Sequence, residues 1–68
     1  MAVQWVYATG SAWVTLDRNA QTQIETLWSR DASSWIDSSS FRGPVYVDTS
    51  EMLLMSAGLS YAIARRRD

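Results

Sequence analysis

The sequence predicts an α+β fold: a strongly curved antiparallel sheet of about six short strands, a half-barrel, packed on one helix. Three observations lead there. Apolar residues alternate with polar ones near both ends of the chain, as half-buried strands require. A single segment, starting near residue 19, changes to helical period. One helix cannot cover both faces of so many strands, so the sheet must curl around it, leaving a cleft at its rim.

Each element follows from local pattern. Val3, Trp5 and Tyr7 share one face of a first strand, and Thr9-Gly10-Ser11 reads as a turn. Ala12, Val14 and Leu16 then alternate with Trp13, Thr15 and Asp17, which completes a hairpin. Ala20, Ile24, Leu27 and Trp28 form the buried stripe of a helix over 19–29. Asp17 or Asn19 supplies its N-cap, and Arg30 complements its C-terminal dipole. The Ser-rich stretch from Asp31 to Ser40 predicts loops around a short strand at Trp35-Ile36. Gly43-Pro44 ends that loop, and Pro44 suits the start of an edge strand at Val45-Tyr46-Val47. Glu51 to Ala57 is a further apolar segment; residues 52–57 fit helix or strand on pattern alone, and their shortness favours a strand. Gly58 turns the chain into a last strand over Ser60–Arg67, which sends Arg66 to the face opposite Arg65.

Composition bounds the chemistry. At 68 residues the chain is one domain, 1–68. It has no Cys, His or Lys, so disulfides, thiolate and imidazole catalysis, Schiff bases and ordinary zinc sites have no residues to build them. Only carboxylates remain for an enzyme, and no close pair of them is predicted. A non-catalytic binding module without metal or cofactor is the expectation. Six arginines against seven Asp and Glu give a net charge of -1, which disfavours DNA or RNA as a partner. The longest apolar run, Met52-Leu53-Leu54-Met55, is far below membrane-spanning length. No signal peptide is visible, and with the missing Cys this points to an intracellular protein, cytoplasmic or nuclear. Ordering a chain this small requires large buried side chains, so the four tryptophans predict a Trp-rich core anchored by Trp5 and Trp13.

The spacing Trp5…Trp13…Ile24-Glu25 resembles the WWE domain, a family named for two tryptophans and a glutamate at about these intervals. Trp13-x-x-Leu16, Val47-Asp48 followed by Met52, Gly58, and Ile63-x-Arg65 are similar to further family motifs in the same order. The likeness spans about residues 4–67. It implies a half-barrel interaction module of ubiquitin-ligase and ADP-ribosylation pathways. Several members bind the iso-ADP-ribose unit of poly(ADP-ribose) in a pocket at one end of the half-barrel.

At the pocket positions the family prefers Tyr, Tyr, Gln and Arg, where this chain has Leu16, Val45 (beside Tyr46), Leu54 and Tyr61. Amide and guanidinium readers of a nucleotide are thereby replaced, which predicts a domain that contacts protein partners instead. The alternative is an ADP-ribose-type ligand held by Trp13, Tyr46, Tyr61 and Arg65 redeployed around the pocket. Glu25 is expected to be a partly buried hydrogen bonder rather than a reactive group.

Overall fold

The elements run β1 (Val3–Thr9), β2 (Ala12–Thr15), α1 (Arg18–Ser29), β3 (Ser33–Ile36), β4 (Val45–Asp48), β5 (Leu53–Ser56) and β6 (Leu59–Arg67). This is a computed structural model, and it describes residues 3–67. The six strands form one antiparallel sheet in the order β2-β1-β6-β5-β4-β3, with α1 packed on one face. The sheet is not closed: β2 and β3 are its two free edges. β6 joins its halves, pairing with β5 through Leu59–Ala62 and with β1 through Ile63–Arg67.

Turn chemistry fixes the hairpins. Gly10 takes φ 52°, the positive value a type II′ turn needs at its first central position. Ala57 and Gly58 take φ 50° and 81°, the pair of positive values of a type I′ turn between Ser56 and Leu59. Met52, at φ 56°, ends a turn over 49–52, so β5 begins at Leu53 instead of Glu51. β3 is longer than expected, taking in Ser33 and Ser34. β4 lies between β5 and β3 and is not an edge; Pro44 precedes its ladder and so removes no donor from it.

Asp17 is the N-cap of α1, and its carboxylate accepts the Ala20 N–H at 3.1 Å. Ala20 and Ile24 are fully buried against Trp5, Leu16, Ile36, Val45, Val47, Leu54 and Ile63. The predicted Trp-rich core is corrected here. Trp5 is 1% exposed, whereas Trp13, Trp28 and Trp35 are 49%, 43% and 64% exposed. Trp13 pairs with Ala8 on the sheet face away from α1, so aliphatic side chains fill the place assigned to it. Val6, also 1% exposed, lies on that outer face between Thr15 and Ala64.

Candidate functional site

One polar cluster sits where α1 crosses β1 and β6. The Trp5 indole N–H donates to Glu25 Oε1 at 2.8 Å. Arg65, opposite Trp5 in the β1–β6 ladder, donates to the same carboxylate through Nε (2.9 Å) and Nη2 (2.7 Å). Its guanidinium carbon lies 4.2 Å from the centre of the Trp28 ring, a cation–π contact, and Trp28 meets Trp5 edge-on. Gln21 adds a second strap, accepting the Trp5 backbone N–H at 3.1 Å and donating to the Leu16 carbonyl at 2.8 Å. Both Glu25 oxygens thus accept hydrogen bonds, Oε1 from Trp5 and Arg65 and Oε2 from Arg65. The cluster locks helix to sheet.

The Arg65 hydrogen bond holds the Glu25 carboxyl below its ordinary value, outweighing desolvation, and the Trp5 indole adds to the effect. Because the folded value is the lower one, this stabilisation is complete above the unfolded value and is lost as pH falls through the folded one. With no histidine, little titrates between about pH 5 and 8. Melting temperature is therefore expected to be flat across that window and to fall below it. Glu25→Gln should lower the plateau and weaken the acid limb; thermal melts followed by Trp fluorescence read both.

A second cluster is apolar. Phe41, from the loop before β4, packs against Tyr7 and Tyr61 with ring centres 5.0 and 5.3 Å away, and the two tyrosines meet at 5.8 Å. All three rest on the core that includes Leu16 and Leu54. Leu54 lies opposite Tyr61 and is fully buried, and Leu16 is 3% exposed.

The four residues singled out from the sequence are dispersed. Trp13 is on edge strand β2, and Tyr46 is on β4, where it meets Trp35 at 5.4 Å on the outer face. Tyr61 faces inward with Phe41, and Arg65 is taken up by Glu25. Sequence reasoning passed over Phe41 and placed Trp28 only on the buried stripe of the helix, whereas it is 43% exposed and stacks on Arg65. Phe41 is the one large apolar residue between Ser38 and Gly43, and Trp28 lies one turn after Glu25 on the same helix side; both signals were available.

Two concavities flank α1. One, of about 430 Å³, is lined by Val3, Trp5, Gln21, Thr22, Glu25 and Thr26. The other, of about 250 Å³, lies between the helix and β3, with Leu27, Ile36 and Trp35 among its walls. Among the described residues no group of three Asp or Glu converges to hold a metal ion, and no helix is long and apolar enough to cross a membrane. No protein-family model and no curated protein matches the chain.

Proposed function

We propose that this chain is a non-catalytic interaction module of the WWE kind, contacting protein partners, with the place of the family's nucleotide pocket filled by its own side chains. The Phe41–Tyr7–Tyr61 cluster resting on Leu16 and Leu54 carries this reading. A nucleotide there would have to displace three mutually packed rings. It would gain no amide at Leu54 and no guanidinium at Tyr61 in return. The Trp5–Glu25–Arg65 linkage supports the family reading, since it gives a tryptophan and a glutamate of the named spacing one joint structural purpose. The half-barrel curvature, the ubiquitin-ligase or ADP-ribosylation setting and the intracellular location belong to the same proposal.

Isothermal titration with iso-ADP-ribose tests it. No heat of binding is expected at millimolar ligand, either for the native chain or for Phe41→Ala, which removes the ring but restores no polar reader. Micromolar binding by the native chain, with amide shifts at Tyr7, Tyr61 and Arg65, would instead establish a nucleotide-binding module.

A further inference from the structure

We infer that Phe41 is a displaceable plug, and that a protein partner docks by putting an aromatic side chain of its own between Tyr7 and Tyr61. This rests on the protein-contact function and names the surface that serves it. The occupant already present states the chemistry of the slot. Phe41 belongs to neither helix nor sheet; the loop between β3 and β4 carries it. Its ring stands 5.0 Å from Tyr7 and 5.3 Å from Tyr61, tilted by 52° and 58°. Aromatic rings favour such tilted contacts over flat stacking, so these walls select a ring over an aliphatic group. The floor is the apolar core, and all three rings stay half-buried, so the slot opens to solvent.

Strand parity carries the same inner face outward past the slot. Val14 lies opposite Tyr7, and Leu59 lies two residues before Tyr61, so both share the face that α1 packs on. The helix nevertheless leaves them 38% and 60% exposed. An aromatic slot with exposed apolar side chains beside it is the layout of a protein-contact hot spot, an anchor seated in a pocket within a surrounding rim.

The plug is carried on a segment able to leave. Ser39, Ser40 and 42–44 are exposed, and the loop is tied to α1 and its cap by side-chain hydrogen bonds. Ser38 and Ser40 donate to Asp17, and the Asp37 carbonyl accepts from Asn19 and Gln23. β3 and β4 pair with each other through Ser33–Ile36 and Val45–Asp48, outside the loop, so lifting it breaks none of that ladder. Few buried apolar contacts and surface hydrogen bonds mark a segment that opens below the cost of global unfolding. An incoming ring is excluded while Phe41 is seated, and its apparent affinity scales with the fraction of chains that are open. Phe41 is therefore an autoinhibitory contact.

Titration with two probes, N-acetyl-Phe-Leu-amide and N-acetyl-Ala-Leu-amide, followed by NMR shifts, tests this. Phe41→Ala should bind the Phe probe with a Kd on the order of 1 mM, shifting Tyr7, Tyr61 and Val14, and should ignore the Ala probe. The native chain should bind the Phe probe at least about tenfold more weakly, because the plug must leave first. Asp17→Asn, which retains Phe41 but weakens its latch, should fall between the two. Adding Leu59→Ser, at an exposed position, to Phe41→Ala should weaken the Phe probe several-fold, a loss that a bare cavity would not show. Equal affinity for the two probes overturns the inference. So does a native chain that binds as tightly as Phe41→Ala, or a Leu59→Ser change without effect. Should Phe41→Ala fail to fold, Asp17→Asn decides: affinity for the Phe probe no higher than the native chain's overturns the inference. Micromolar binding of iso-ADP-ribose removes the function it rests on, whereas silence toward both iso-ADP-ribose and the Phe probe removes this inference alone.

Discussion

Trp5→Ala is expected to leave the chain unfolded at room temperature. Trp5 is 1% exposed and is the largest fully buried side chain, touching both the helix and the sheet. Truncating a buried Trp costs about 3–5 kcal/mol from lost burial and the cavity left behind. A small domain commonly has about 5 kcal/mol in total, and this one has no disulfide to supplement it. The truncation also removes the indole N–H from Glu25 and the edge contact to Trp28, loosening the Arg65 pair. Trp5→Phe separates these contributions: it retains most of the apolar area but not the N–H. Chemical denaturation should find Trp5→Phe folded and weakened, and Trp5→Ala without a cooperative transition. A cooperative Trp5→Ala transition within about 1 kcal/mol of the native one would show that the aliphatic cluster holds the fold alone.

That aliphatic cluster is the part of the fold most legible in the sequence. Ala20 and Ile24 stand four apart on one helical stripe, and Val45, Val47, Leu54 and Ile63 fall at strand parity. Periodicity therefore placed α1, expected over 19–29, within one residue of its observed bounds, Arg18–Ser29. Parity alone does not say which face will be covered. Trp13 and Trp35 alternate as well as Trp5 does, yet only the register puts them on the face away from α1. Strand order is likewise absent from local pattern. Pro44 looked suited to an edge strand, but β4 becomes interior because β3, read as a two-residue fragment, pairs along its whole length. The inner aromatic cluster joins Tyr7, Phe41 and Tyr61, far apart in the chain, so no local rule predicts their meeting. The Glu25–Arg65 pair spans 40 positions and was hidden for the same reason, although both residues were noticed singly.

The second large loss is expected at Asp17, where one carboxylate organises two elements. Oδ2 caps α1 at Ala20, while Oδ1 accepts the hydroxyls of Ser38 and Ser40, and the Asp17 N–H donates to Ser40 Oγ. The loop carrying Phe41 is thus fastened to the helix start. Burial alone would raise the Asp17 pKa. Hydrogen bonds from Ser38, the Ala20 N–H and Ser40 prevail and lower it from 3.8 to about 2. A cap contributes about 1 kcal/mol, and hydrogen bonds to a charged group about 1.5–3 kcal/mol. Solvent screening at the loop surface reduces the sum, so Asp17→Ala should cost about 2 kcal/mol, a fall in Tm on the order of 10 °C. The sign of the pH dependence follows from the lowered folded value. The charge-dependent part is complete above 3.8, the ordinary value, and is lost as pH falls toward about 2. Denaturation of native and Asp17→Asn chains at pH 7 should therefore differ clearly, and the gap should narrow steadily as both approach pH 2. A gap unchanged by acidification would mean that the side chain acts by shape alone. Amide exchange should place the opening of Asp17→Asn first in the 37–44 loop. Phe41 would then leave Tyr7 and Tyr61 before the sheet itself comes apart.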